Sequence, residues 1–134
     1  RVHLYTSLGA VKMGMDILTE NEKVKVERIM GHGGFFKTKG VGQRYLAAAV
    51  NAPVTVMDTA SEGGAWGIAL LAAFMVDKNS GEKLEDYLET RVFEGLSGET
   101  LMPYEEDVEG FKVFMERYKA GLSIEKCAIE MMNW

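Results

Sequence analysis

The sequence predicts an α/β domain in which short parallel strands pack with several helices. Residues 24–30 and 54–57 are short runs in which apolar and β-branched residues dominate, as in strands, and each precedes a segment with apolar residues at helical spacing. This strand–helix–strand–helix order is typical of parallel strands joined by right-handed crossovers. Because two strands alone make a poor sheet, the pattern also predicts strands outside this chain or an unusually helical domain.

Composition limits the classes of protein that this chain can belong to. Its 134 residues have room for one domain, and its net charge of −5 argues against a nucleic-acid partner. No apolar run reaches the ~18 residues of a membrane span, so no membrane partner is expected. The single cysteine, Cys127, is predicted to be at least half-buried and fits a reducing compartment. Without a signal peptide, the predicted location is the cytoplasm.

The first element is a predicted amphipathic helix over residues 4–18. Gly9 and Gly14 weaken a helix there, which predicts close packing against a neighbour at both positions. The chain begins with Arg1 and a helical pattern follows at once, so we expect it to be a portion of a longer protein. The apolar stripe of the helix consists of Leu4, Leu8, Val11, Met15 and Leu18.

A glycine-rich loop, residues 31–40, joins the first strand to the helix that starts near residue 41. With glycines at 31, 33, 34 and 40, it can bring bare backbone close to a ligand and aim N–H groups at an anion. Lys37 and Lys39 precede the helix start, where positive charge is unfavourable unless an anion such as a phosphate arrives. Thr38 can cap the helix or offer its hydroxyl to a ligand. Ordinary solvated lysines around a flexible turn explain the stretch equally well, because it matches no named phosphate motif.

A helix over residues 64–75 is predicted to follow the second strand. Thr59 and Glu62 have the spacing of a capping box, so Glu62 is interpreted as a cap rather than as a catalytic acid. The helix is small and apolar on nearly all sides, which predicts burial on most faces. Its glycines at 63, 64 and 67 permit close approach to the glycine-rich loop or to a ligand, although tight packing explains them as well.

The remaining residues are predicted to be mainly helical. A loop at 78–81 leads to a short apolar stripe at 84–92, and residues 93–103 are predicted to be irregular. A strong stripe over 108–122 predicts a helix that ends at Gly121, with Ser123 capping a last helix. The acidic cluster at 105–109 is interpreted as a solvated helix start rather than as a metal site. His3 and His32 have no partner at ligand spacing, so we predict no metal site.

Along nearly its whole length, the chain resembles the C-terminal part of the FGGY family of carbohydrate kinases. The segments that carry the resemblance are the helix at 4–18, the strand at 24–30, the loop with Gly33 and Gly34, Gln43 with its helix, the strand Pro53-Val54-Thr55-Val56, and residues 62–69. The last helices are similar to the tail of xylulokinase- and ribulokinase-like members.

The resemblance implies an actin-like ATPase fold of two ribonuclease-H-like domains, with ATP, Mg²⁺ and a sugar in the cleft between them. Residues 1–134 would form a single domain, the C-terminal portion of the second domain on its ATP-binding side. Gly33 and Gly34 would lie against the ribose and phosphates, and Thr38 would contact the adenosine. Lys37 is the fourth candidate cofactor-binding residue, while the roles of Phe35 and Phe36 stay open.

The resemblance also implies what this chain lacks. The family's first phosphate loop, its aspartate base and its sugar-binding residues belong to the N-terminal domain. No catalytic residue is therefore assigned here, and the chain alone is expected to be inactive, since phosphoryl transfer needs a positioned hydroxyl, a base and Mg²⁺.

Three functions remain as hypotheses. The first is the adenine-nucleotide-binding part of a kinase that phosphorylates a pentulose or related sugar held through the absent N-terminal domain. The second is a non-catalytic module whose apolar helices, Met-rich tail and Trp134 contact a partner or form a homodimer. The third is a nucleotide-sensing domain without catalysis. Binding of adenine nucleotide at the loop separates the first and third from the second.

Overall fold

A computed structural model describes residues 2–58, 63–95 and 97–132. Single π-helical turns extend the first helix over Ile17–Asn21 and the fourth over Leu88–Val92. The predicted capping box at 59–62 and the predicted contact residue Trp134 lie outside the described residues, as does Arg1. The elements are α1 (Val2–Asp16), β1 (Ile29–Gly31), α2 (Val41–Val50), β2 (Val54–Met57), α3 (Gly63–Asp77), α4 (Leu84–Tyr87), β3 (Gly98–Leu101) and α5 (Glu105–Met132).

The sheet has the order β1-β2-β3, with β2 in the centre. β1 and β2 are parallel, with Ile29 opposite Val54, so the predicted parallel pair and the α/β fold class are confirmed. β1 is shorter than the predicted strand at 24–30. Ile29 is the first residue that bonds across, through its N–H to the Pro53 carbonyl at 2.9 Å.

The prediction of an irregular segment at 93–103 is wrong, because Gly98–Leu101 forms β3 antiparallel to β2. The segment has no apolar alternation, so its strand conformation comes from pairing with its neighbour rather than from local propensity. The Thr55 and Thr100 hydroxyls hydrogen-bond across the pair at 2.7 Å. A Cβ on Gly98 would lie 2.7 Å from the Met57 sulfur, so the Met57 side chain occupies the space beside this glycine.

The core lies where α1, α2 and α5 meet the sheet. The Tyr5 ring on α1 makes edge contacts with Tyr45 at 5.4 Å and with Phe111 at 4.9 Å between ring centres. Close packing at Gly9 is confirmed, because a Cβ there would lie 2.6 Å from the Tyr118 ring. The buried residues of this cluster are Leu8, Leu46, Ala47, Ala49, Val54, Phe111 and Met115.

Helix α1 lies where it was predicted, but its buried face includes only part of the predicted stripe, in which Leu4 and Met15 are half-buried. Leu8 is buried, whereas Val11 and Leu18 are exposed. The Tyr5 side of the helix packs against aromatic residues of α2 and α5, and Val11 lies away from that side. Close packing at Gly14 was also predicted and is wrong, since a Cβ there would meet nothing within 4 Å.

Helix α5 runs without interruption from Glu105 to Met132, so the predicted break at Gly121 and Ser123 is wrong. The Ser123 hydroxyl donates to the Ala120 carbonyl at 2.8 Å inside the helix instead of capping a new one. Cys127 is exposed, contrary to prediction. The buried residues of α5 end at Met115, and Cys127 lies well beyond them.

The prediction that the third helix is buried on most faces is wrong, because no residue of α3 is buried. Its aromatic contacts are Trp66 with Phe93 and Phe74 with Tyr87, on the side of α4 and the turn after it. Ile68 is 72% exposed and Met75 is 77% exposed on the remaining surface. The apolar composition of α3 predicts a buried helix, but burial also requires that other elements pack around it. Within the described ranges, no helix is long and apolar enough to cross a membrane.

Candidate functional site

The glycine-rich loop leaves β1 at Gly31, makes a 3₁₀ turn over Gly34–Phe36 and enters α2 after Gly40. The Phe36 N–H donates to the Gly33 carbonyl at 3.0 Å and the Lys37 N–H donates to the Gly34 carbonyl at 3.2 Å. Gly33 has φ +97° and Gly40 has φ +74°, in the left-handed region that favours glycine. The course of the loop therefore depends on glycine at both positions.

Phe35 and Phe36 anchor this loop to the domain. Their rings meet edge to face at 5.4 Å, and both pack against the core. A Cβ on Gly31 would lie 2.6 Å from the Phe36 ring, and a Cβ on Gly42 would lie 2.2 Å from the Phe35 carbonyl oxygen. The glycines on either side of the two phenylalanines thus make room for them. Sequence reasoning left these roles open, although the glycine–aromatic spacing was a usable signal.

Gly33 and Gly34 differ from the glycines beside the anchors. A Cβ on either of them would meet nothing within 4 Å. Space over both residues is open, so a ligand can approach the backbone closely. This is the property for which the sequence singled out the pair.

Lys37 and Thr38 line a cavity of about 270 Å³ next to the loop, whereas Gly33 and Gly34 are not among its lining residues. Of the two roles that the sequence left open for Thr38, capping of α2 is not the one observed. Gly40 occupies the N-cap position with no side-chain cap bond, and Thr38 contributes its carbonyl, which accepts from the Val41 N–H at 3.2 Å. The left-handed turn at Gly40 places the cap two residues after Thr38.

The same cavity contains charges that the sequence did not assign to the site. The Lys39 ammonium lies 2.9 Å from the Glu99 carboxylate, and Asp58 also lines the cavity. Hydrogen bonding and attraction from Glu99 raise the pKa of Lys39 above its ordinary value, with a smaller contribution from Asp58. The sequence predicts that the loop lysines are unfavourable unless a negative charge lies near them. At Lys39, that charge is the Glu99 carboxylate on β3. No local pattern marked Glu99, because β3 itself was not predicted.

Gln43 lies beneath this cavity and is only 4% exposed. Its Nε2 donates to the Val54 carbonyl and to the Glu99 carbonyl, both at 2.7 Å. One side chain thereby joins α2 to β2 and to β3. Gln43, which carries part of the family resemblance, therefore has a structural role in this domain.

A larger cavity of about 420 Å³ lies among α1, α2 and α5. Arg44 and Asp107 line it, and they pair with each other at 3.1 Å while the Arg44 guanidinium stacks on Tyr104. Its charges are thus already matched within the protein, and we do not assign it to nucleotide binding. The acidic residues 105–107 do lie in the first turn of α5, as predicted.

His32 belongs to the contact between the loop and α3. A Cβ on Gly63 would lie 2.9 Å from the His32 Cβ, so the predicted approach of this helix to the loop is confirmed at Gly63. At Gly64 and Gly67 a Cβ would meet nothing within 4 Å. Among residues 2–58, 63–95 and 97–132, no three His, Cys, Asp or Glu side chains form a group that could hold a metal ion.

Comparison with models of protein families gives one match that bears on this site. The C-terminal domain of the FGGY family of carbohydrate kinases matches residues 1–76. The matched segment includes α1, β1, the glycine-rich loop, α2 and β2, and it ends inside α3. Neither the curated proteins nor the solved structures gave a match.

Proposed function

Because this chain belongs to the FGGY family of carbohydrate kinases, we propose that it is the nucleotide-binding C-terminal part of an ATP-dependent sugar kinase. Kinases of this family use ATP, generally with Mg²⁺, and their C-terminal domain is part of the actin-like ATPase fold. The observation that carries the proposal is the open space over Gly33 and Gly34, in a loop that ends at a helix N-terminus. Backbone without side chains at such a position suits a phosphate-bearing ligand.

Each candidate residue has a definite role in this proposal. Gly33 and Gly34 lie against the ribose and phosphates, where a larger residue would occupy the ligand's space. Lys37 adds positive charge close to the phosphates, and the Thr38 hydroxyl contacts the adenosine. Both line the cavity beside the loop. ATP supplies the transferred phosphoryl group, and the residues of this chain bind and orient the nucleotide.

The finer assignments follow from the same resemblance. We propose a pentulose or a related sugar as substrate, as in xylulokinase- and ribulokinase-like members. Residues 1–134 then form the C-terminal portion of the second kinase domain, and an N-terminal domain binds the sugar and supplies the base. On that division the chain alone is inactive. A cytoplasmic location fits ATP as donor and the single cysteine, and the net charge of −5 disfavours nucleic acid as a partner.

The test is a titration of the chain with Mg-ADP, followed through backbone amide chemical shifts. Saturable shifts centred on Gly33, Gly34 and Thr38 are expected, with weak affinity because, on this proposal, the N-terminal domain forms the other half of the cleft. Gly34→Val should abolish them, since its side chain enters the open space that the ligand would occupy. Gly14→Val is the matched control, because a Cβ on Gly14 also meets nothing within 4 Å. Amides in the loop that stay unchanged at millimolar Mg-ADP would contradict the proposal.

A second function, a non-catalytic module that packs on a partner or dimerises, is favoured by the exposed apolar surface of α3. Ile68, Leu71 and Met75 are each more than half exposed, at 72%, 51% and 77%. Surfaces of this kind mark interaction sites in many proteins. Concentration-dependent association in sedimentation velocity, lost in Leu71→Glu and accompanied by no response to Mg-ADP, would favour this module over a nucleotide-binding domain.

A further inference from the structure

The ion pair between Lys39 and Glu99 crosses the cavity next to the proposed nucleotide site. Its two charged atoms are 2.9 Å apart, and both side chains are largely exposed. The lysine comes from the glycine-rich loop and the glutamate from β3. Asp58 at the end of β2 places a second carboxylate in the same cavity. An anion that approaches Lys39 therefore meets two negative charges already in place.

The two partners are held with different rigidity. The Glu99 backbone is fixed by the β2–β3 ladder and by the bond from the buried Gln43 side chain to its carbonyl. The Lys39 side chain is 86% exposed, and its flexible four-carbon stem lets its ammonium group reorient. The acid is thus anchored, and the cation is the partner that can turn to another anion.

We propose that Glu99 is a positioning residue that competes with the phosphates of a nucleotide for Lys39, and so weakens anion binding at the loop. The proposal rests on the proposed function, nucleotide binding at Gly33 and Gly34. In the free chain, Glu99 neutralises Lys39 just before the N-terminus of α2. When a nucleotide binds, Lys39 turns to the phosphates and Glu99 loses its partner. Glu99 lies outside the segment that matches the family, so a residue beyond that segment sets the nucleotide affinity of the loop within it.

The experiment compares the binding of Mg-ADP and of adenosine to the wild-type chain, Glu99→Gln and Glu109→Gln. Glu109→Gln is the matched control, because Glu109 also pairs with a lysine, Lys112, but lies on α5. For Glu99→Gln we expect Mg-ADP to bind about two- to fivefold more tightly, the range of an exposed ion pair. Adenosine should bind as it does to the wild type, because it carries no phosphate. The further change Lys39→Met should remove the gain, while Glu99→Asp should restore wild-type affinity.

The outcomes separate this inference from the function on which it rests. Wild-type binding of Mg-ADP with an unchanged or weaker affinity in Glu99→Gln would overturn the role of Glu99 and leave the nucleotide site standing. An equal gain in Glu109→Gln would also overturn it, because the effect would then come from net charge alone. If neither the wild type nor Glu99→Gln responds to Mg-ADP, the proposed function fails and this inference fails with it.

Discussion

Replacing Gln43 by methionine tests whether one side chain holds the sheet to α2. Methionine is unbranched and of similar length, so it fills the space while removing both hydrogen bonds. The two bonds, each 2.7 Å, end on the carbonyls of Val54 and Glu99. A buried polar group left without its partner costs about 1–3 kcal/mol. Water can reach the part-buried Glu99 carbonyl, so we expect a total loss of about 2–3 kcal/mol in the free energy of unfolding.

Urea unfolding followed by circular dichroism measures this loss. For a slope of about 1–2 kcal/mol/M, the midpoint should fall by roughly 1–3 M with the slope unchanged. Arg44→Met is the control, because it removes a side-chain pair from the next residue of α2. The Arg44 side chain is 54% exposed, so its pair with Asp107 is worth only about 0–1 kcal/mol. The reasoning is refuted if Gln43→Met costs no more than Arg44→Met.

Three further predictions concern packing and exposure. Gly42→Ala should lower the melting temperature, because a clash 2.2 Å from the Phe35 carbonyl outweighs the gain in helix propensity of about 1 kcal/mol; a higher melting temperature would contradict this. Phe111→Ala should cost about 3–5 kcal/mol in urea unfolding, whereas Val113→Ala on the exposed face of α5 should cost less than about 1 kcal/mol; equal costs would be inconsistent with the core. Cys127 should react with a thiol reagent in the native chain nearly as fast as in urea, and strong protection would argue against its exposure.

Local patterns predicted the helices and the parallel strand pair because these depend mainly on residues close in sequence. The apolar periods of α2 and the first part of α5 were read correctly, as was β2, whereas the buried face of α1 and the length of β1 were predicted only in part. β3 was missed because its residues become a strand only beside β2. The break predicted in α5 shows the opposite error: Gly121 and Ser123 favour a helix end locally, but a long helix tolerates both.

The candidate site likewise has features that the sequence predicted and features that it did not. The open space over Gly33 and Gly34 was predictable, since adjacent glycines in a strand-to-helix loop leave the backbone without side chains. The Lys39–Glu99 pair was not, because its acid lies on the unpredicted strand, far along the chain. The exposure of α3 could not be read either, since composition does not say which surfaces surround a helix.

The core also has a consequence for how the chain folds. Leu8 packs in the same cluster as Phe111 and Met115, although they lie about 100 residues apart along the chain. The family match ends at residue 76, before both of these α5 residues. The matched segment therefore does not contain the whole core, and a chain cut at residue 76 would lack two of the seven buried residues of the cluster. The chain must close this long loop, at a cost in conformational entropy, before the contacts of α5 with the core can form. Docking of α5 should therefore be the slow step in refolding kinetics.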